Sequence, residues 1–303
     1  AGSALIPLLS HANPRVKFFT AQALGRIKFE DAIDPILTMI KVNSDQDLYI
    51  RHAGVLALSR IGDSEPMIAL VNNENKSLRL AALLVLRRLQ HPDVAFFLRD
   101  NDEYLVTEAA RAINDDWSIE AALPQLASIL KEDRFTSEPL LRRAINASVR
   151  VGGENELDQL LAFSNRESVS AELRAEALST VGTWANPSVL DRVDGRYRGE
   201  ISRNTELVKA KVLANMDKFM KVNDPTFLVA MVSMLGNLNI TDYNSQLEEL
   251  MISSEDAKMK SSILDALVTL KHDDIEKIIK LGMEDDDKNV RTTALKYLGE
   301  LNI

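Results

Sequence analysis

The chain has 303 residues, no Cys, 12 Gly, 9 Pro and few aromatics (9 Phe, 5 Tyr, 2 Trp). This excludes disulfides and thiolate ligands and disfavours a turn-rich all-β fold. The 46% apolar content suffices for a continuous core, while 36 basic against 45 acidic residues (net −9) oppose general binding to nucleic acid or an anionic membrane. No apolar run approaches the roughly 18–20 residues that span a bilayer, and no secretory signal opens the sequence.

In chain order, a short first helix precedes the cap signal Asn13-Pro14 and an apolar stripe Val16, Leu24, Ile27. An amphipathic stretch Ile33–Ile40 leads to Asp47 and a second stripe, Ile50, Leu58, Ile61, stopped at Gly62. Asn75 opens the helix through Leu78, Leu86 and Leu89, and Asp102 opens one through Val106, Asn114 and Trp117. The stretch Ala121–Leu130 precedes Leu141 and Val149, with a stop at Gly152-Gly153; Leu173, Val181 and Trp184 follow, with a stop at Gly182. Residues 186–204 are expected to hold a short helix, Ser188–Arg192, and an exposed loop, 194–200. Asp224-Pro225 then opens a helix through Leu228 and Gly236, Leu247–Ile252 and Met259 to Leu270 follow, and Asp287 opens the last stripe through Val290, Leu298 and Leu301, with Gly299 as stop.

These stripes superpose. Val16, Ile50, Leu78, Val106, Leu141, Leu173, Leu228, Met259 and Val290 are spaced 28–35 residues apart, except for one gap of 55 at the insertion. Offsets 0, 4, 8 and 11 share one helix face, and Ala recurs three or four residues after the anchor, as at Ala53, Ala81, Ala109, Ala144 and Ala177, which lets a neighbouring helix approach closely. A helix-turn-helix unit of roughly 30 residues cannot bury its own apolar face, so such units stack. The expected fold is all-α: a right-handed α-solenoid of about nine hairpins forming one domain over 1–303, with second helices on the concave side and an irregular insertion at 186–204.

Asn13-Pro-Arg-Val16 with Ala21-Gln-Ala-Leu-Gly-Arg-Ile27, and Asn289-Val-Arg291 with Ala294-Leu-Lys-Tyr-Leu-Gly299, resemble HEAT repeats, in particular the short bacterial lyase-like type. The resemblance implies a binding array more than a catalyst. Between residues 78 and 200, Leu78-Arg-Leu-Ala-Ala-Leu-Leu-Val-Leu-Arg-Arg-Leu89, Val106–Asp115, Ala122–Ala127, Pro139–Asn146 and Asp191-Arg-Val193 are similar to the HEAT segment of large bacterial proteins described as membrane-bound dehydrogenases, in which a β-propeller precedes the segment and a haem c domain follows. That resemblance implies a periplasmic or cell-envelope location; this chain departs from the pattern in having no Cys-x-x-Cys-His. The start at Ala1-Gly-Ser without Met, and a last helix leaving Tyr297, Leu298, Leu301 and Ile303 without a polar capping repeat, are expected of a piece of a longer protein.

For chemistry the residues offer little. His11, His52, His91 and His272 never share the i,i+4 spacing of a helical metal site, and the acidic run Glu284–Asp287 lacks the alternation of a calcium loop, so no metal, cofactor or catalytic residue is expected. Seven of nine Met lie between Met216 and Met283, at core spacing. Basic residues follow many anchors (Lys17, Arg51, Arg79, Arg142, Arg174, Lys260, Arg291), and pairing with a neighbouring turn Asp such as Asp47 or Asp287, in a ladder, is favoured over a phosphate track. The densest cationic group, Arg87, Arg88 and Arg111 with Arg142, Arg143 and Arg150, is the best candidate anion-binding surface. In the insertion, Asp194, Arg196, Tyr197 and Arg198 read equally as a docking tip or a tolerated excursion. The expected function is a non-catalytic scaffold that binds a protein partner, or other modules of its own parent chain, through the second helices and the 194–200 loop. A nucleic-acid role, as in HEAT-like DNA glycosylases, is disfavoured by the acidic balance and sparse aromatics.

Overall fold

The structure, a computed structural model, describes residues 2–301. Within them the chain is all-α, and the one β feature is an isolated antiparallel bridge between Leu190 and Tyr197. The chain divides into two compact units, Ala1–Ile129 and Leu130–Ile303. The first contains the second helices α1 (Pro14–Arg26), α2 (Leu48–Ile61), α3 (Lys76–Leu89) and α4 (Glu103–Asn114). The second contains α5 (Glu138–Val151), α6 (Ala171–Gly182), α7 (Pro225–Leu238), α8 (Ala257–Thr269) and α9 (Lys288–Leu301).

The caps form where the sequence places them. Side chains of Asn13, Asp47, Asn75, Asp102, Asp224 and Asp287 each accept from an amide in the first turn of their helix, as do Ser170 and Asp256. Counting from these caps corrects the repeat register. The buried position three residues after the cap is Leu105 in α4, Leu140 in α5 and Phe227 in α7, each one residue before the anchor chosen from sequence. The two non-aliphatic exceptions at the eighth position disappear in α4 and α7: Ile113 and Leu235, both fully buried, replace Asn114 and Gly236. Paired apolar residues at this point, Leu105-Val106, Leu140-Leu141 and Phe227-Leu228, had masked the slip.

Each unit buries a continuous apolar stack. Leu24, Leu58, Leu86 and Ile113 are 0–2% exposed in the first, and Ile145, Val181, Leu235 and Leu267 are fully buried in the second. Backbones approach closely where a side chain is missing: a Cβ on Gly25 would lie 2.5 Å from the Ala57 Cα. Gly182 serves the same purpose against Met234 rather than stopping its helix, and Gly299 lies inside α9; Gly62 and Gly152 are the left-handed C-caps. Met216, Met231, Met234, Met251 and Met259 are buried core residues.

The eleventh position does not close the stripe throughout. Trp184 and Leu270 are buried, but Ile27 is 54% and Trp117 80% exposed, and Leu301 is also exposed. Helix α1 has already ended at Ile27, and α4 ends three residues before Trp117, so neither follows the helical face. Ile303 lies outside the described residues. The first helices are less regular than the second: Ile6–Ser10 and Pro92–Arg99 are 3-10 segments, and the 121–130 stretch is divided among short turns around Leu123–Ser128.

Candidate functional site

Two surfaces hold the sequence candidates. In the first unit, α2, α3 and the end of α4 form a groove of about 530 Å³. Leu48, Arg51, His52 and Val55 lie one turn apart on α2, and Leu84, Arg87 and Arg88 do the same on α3. The far wall is Asp115, Asp116 and Trp117. Arg51 is held by Asp45 at 3.2 Å and Arg87 by Asp116 at 2.9 Å. Arg88 and His52 are exposed, and neither has a polar partner among the described residues. Arg111, on α4, pairs with Glu108 at 2.8 Å.

The turn carrying Trp117 is set firmly. Asp116 and Ser118 both adopt φ of 56°, a left-handed conformation that costs a non-Gly residue ~1 kcal/mol or more. The Ser118 hydroxyl donates to Ile113 O at 2.8 Å, and the Ile119 amide donates to the same carbonyl at 2.8 Å, so the turn is closed onto the end of α4. An indole that is 80% exposed is thereby held in place rather than left on a mobile side loop. The eleventh offset from Val106 places Trp117 on the core stripe; the signal for its exposed position is Asp115-Asp116 directly after the helix.

In the second unit the insertion bends back on itself. The expected helix Ser188–Arg192 is absent: the Ser188 hydroxyl accepts from the Leu190 amide at 3.0 Å, and the Asp191 carboxylate accepts from the amides of Val193 (2.8 Å) and Asp194 (3.2 Å). These local side-chain acceptors displace helical hydrogen bonds. The turn is completed by Asp191 N to Arg196 O at 2.7 Å and Arg198 N to Val189 O at 2.8 Å. Arg196 and Tyr197 are exposed at its tip, but the side chains of Asp194 and Arg198 are only 15% and 13% exposed. Arg198 bonds Asp191 at 3.1 Å and Asp194 at 2.9 Å, and Asp191 also accepts from Asn146 Nδ2 of α5 at 2.9 Å. Burial pushes the Asp191 carboxyl up, but the two amides, Arg198 and Asn146 together hold it below the usual carboxylate range.

Arg203 fastens the other end. Its guanidinium donates to Val149 O at the end of α5 and to Trp184 O at 2.8 Å, lies 4.8 Å from the Trp184 ring, and covers Gly152, where any Cβ would overlap it. Arg192 donates to Thr180 of α6 and to Thr183 just past its end, at 2.8 and 3.1 Å. Of the four arginines of this segment, Arg192 and Arg203 thus bond the repeats, Arg198 bonds within the insertion, and Arg196 is exposed.

On α5, Arg142 bridges Glu138 and Glu176, Arg143 donates to Pro139 O at 2.8 Å, and Arg150 is half-buried. Burial holds the Glu176 carboxyl above its usual range against the pull of Arg142 and Arg192. Of the six arginines expected to form one anion surface, the structure brings Arg87 and Arg88 into one groove.

The ladder is present with different partners from those expected. Asp47 and Asp287 are occupied as caps; the pairing carboxylate stands two residues earlier. Arg51 meets Asp45, Arg79 meets Asp100 at 2.7 Å, and Lys260 meets Asp285 at 2.7 Å, while Arg291 binds the carbonyls of Asp285 and Asp286. The histidines at 11, 91 and 272 accept backbone amides in turns, and no group of three metal-ligating side chains occurs among the described residues. No described helix is long and apolar enough to cross a membrane.

A family model for HEAT repeats matches residues 2–72. Two engineered proteins of known crystal structure are similar to the chain: one at 16% identity and TM-score 0.46, covering 100% of this chain and 89% of its own, the other at 16% identity and TM-score 0.28, covering 89% and 98%. No curated protein matches. The fold class is an all-α solenoid of helical hairpins, with the HEAT-repeat match lying within residues 2–72.

Proposed function

We propose that the protein is a non-catalytic scaffold whose first unit binds a partner segment in the α2–α4 groove. The observation that carries this reading is the combination of a rigidly held, 80%-exposed Trp117 with the unpartnered Arg88 and His52 in one concavity. Trp and Arg are the side chains most often found at the energetic centre of interfaces, and an exposed indole held in advance loses little entropy on binding. Leu48 and Leu84 supply an apolar floor beside them.

The test is selection of peptides from a random display library on the immobilised full chain, followed by affinity measurement on Trp117→Ser and Arg88→Ser. At least a tenfold loss in each variant is expected. Selected peptides that bind both variants as tightly as the parent would place the binding surface elsewhere. A second reading rests on the resemblance of residues 78–200 to the HEAT segment of haem-containing dehydrogenase-like proteins: the array would then carry redox modules supplied by the rest of its gene. A Cys-x-x-Cys-His coding sequence downstream would support it, and an uninterrupted stop codon after Ile303 would remove it.

A further inference from the structure

At Arg174 the ladder lacks the acid that its counterparts in α3 and α8 reach. Arg79 and Lys260 stand four residues after the caps of α3 and α8, and each reaches the carboxylate two residues before the cap of the next second helix, Asp100 or Asp285. Arg174 occupies the same position in α6, four residues after Ser170. The residue two before the Asp224 cap of α7 is Val222, which has no acceptor to offer.

Arg174 is nonetheless 91% buried, with 9% of its surface exposed. Its Nε donates to Ser164 O at 2.8 Å and its guanidinium lies 4.8 Å from the Phe227 ring, but neither terminal nitrogen has a hydrogen-bond partner among the described residues. Most of the side chain is enclosed, but the two terminal nitrogens are not sealed from solvent, so their N–H groups are open to an incoming acceptor. Arg174 and Val222 line one cavity of about 510 Å³, together with Lys218 and Lys221. Both lysines are exposed and lack an ion-pair partner among the described residues. Two carboxylates also border the cavity: Asp224, occupied as the α7 cap at 3.0 Å from the Phe227 amide, and exposed Glu167. The lining therefore carries three cations against two acids, in a chain whose net charge is −9.

We propose that this cavity is a carboxylate-binding site, in which an Asp or Glu side chain of a partner polypeptide takes the place of the missing rung and is clamped by the Arg174 fork with Lys218 and Lys221. With its Nε held by Ser164 O, Arg174 has its two terminal nitrogens left to present parallel N–H groups to a carboxylate, a fork like the one Arg79 makes with Asp100 through Nε and Nη2. The site involves none of the groove residues of the first unit, so its fate and that of the scaffold reading are separable.

The experiment uses the full chain, with the Arg174 side-chain Nε–H and the backbone amides of 222–227 followed by NMR. Acetyl-Ala-Glu-Ala-amide is titrated at constant ionic strength, with acetyl-Ala-Gln-Ala-amide and inorganic phosphate as separate arms. Saturable shifts at these signals are expected with the Glu peptide and not with the Gln peptide. Val222→Asp, which restores the rung in cis, is expected to weaken that response at least tenfold, as is the exposed double variant Lys218→Ser/Lys221→Ser. Arg174→Gln is secondary because it alters a buried side chain, and the other two variants do not depend on it. Absence of a saturable response, or an undiminished one in Val222→Asp, overturns the proposal. Phosphate binding tenfold or more tighter than the Glu peptide overturns the carboxylate assignment in favour of a phosphate source.

Discussion

The α2–α4 groove and the 186–204 insertion look alike in composition: each gathers several arginines, acidic residues and one prominent aromatic. Their side chains do opposite things. In the insertion, Asp191 is fully enclosed and collects Arg198, Asn146 and two amides, while Arg203 and Arg192 spend their donors on helix ends. In the groove, Arg51 and Arg87 are paired at the edge, whereas Arg88, His52 and Trp117 face solvent. An arginine-rich segment becomes a fastening when acceptors are enclosed with it, and a recognition surface when they are too few or too distant. The number of arginines does not distinguish the cases.

The largest expected effect breaks this comparison if it fails. Asp191→Ala leaves Arg198 and Asn146 facing an enclosed site without their acceptor, and removing one member of a buried pair typically costs ~3–5 kcal/mol. The corresponding change in the groove, Asp116→Asn, which keeps a side chain suited to the left-handed backbone there, removes a pair whose side chains are 27% and 56% exposed, a class normally worth ~0–1 kcal/mol. Urea unfolding of the two variants should separate them clearly; equal losses would mean that the insertion is not fastened as described.

A smaller effect tests the clasp at the end of α5. Gly152→Ala introduces a Cβ at φ +72° and into the Arg203 guanidinium, whereas Gly62→Ala introduces one at φ +90° into open space. Left-handed strain alone costs ~1–2 kcal/mol, so Gly62→Ala measures that part by itself. The excess at Gly152, expected to be on the order of 1 kcal/mol or more, reports displacement of Arg203. If the two melting-temperature losses match, Arg203 yields freely and the clasp is weak.

The helical repeat and its caps were legible because both depend on neighbours in sequence: 3.6-residue periodicity and a side-chain oxygen within three residues of the amides it satisfies. The anchor register was legible only to one residue in α4, α5 and α7, because two adjacent apolar residues satisfy the same pattern and only the cap distinguishes them. The ladder partners were hidden because Asp45 and Asp47, or Asp285 and Asp287, are equivalent in composition; one caps and the other pairs according to which points at the amides. Trp117 was misassigned because a repeat count continues past the real end of α4 at Asn114. For the candidate site, Arg87 and Arg88 were identifiable as neighbours on one helix, but their separation into a paired and an unpaired cation depends on Asp116, 28 residues after Arg88 in sequence.

Acid should loosen the insertion before the groove. Because the enclosed carboxylate of Asp191 is held below its ordinary value, the folded state takes up its proton less readily than the unfolded chain does. Its contribution is therefore complete above the ordinary Asp value of ~3.9 and is lost as pH falls through the folded value. Amide exchange at 192–198, taken relative to the intrinsic rate at each pH and followed from pH 5 downward, should accelerate before exchange at 115–119, and Asp191→Asn should remove that difference in pH response. Simultaneous acceleration in both segments of the parent would assign the acid response to general unfolding.

The smallest expected effect on stability is the one that sharpens the comparison most. Trp117→Ser removes a side chain that is 80% exposed, and Arg88→Ser removes a cation with no partner among the described residues. Surface changes of this kind usually alter stability by less than ~0.5 kcal/mol, so both variants should melt within about a degree or two of the parent. Arg198→Ser, matched in chemistry, should not: its guanidinium is 87% buried against two carboxylates, with 13% of the side chain exposed. The expected pattern is thus a crossed one, with groove variants stable but deficient in peptide binding and the insertion variant destabilised but unchanged in its affinity for the same peptides once folded. A substantial loss of stability in Trp117→Ser would show that the indole supports the turn it stands on. The exposed ring would then be a structural residue, and the groove would lose the feature on which its binding role depends.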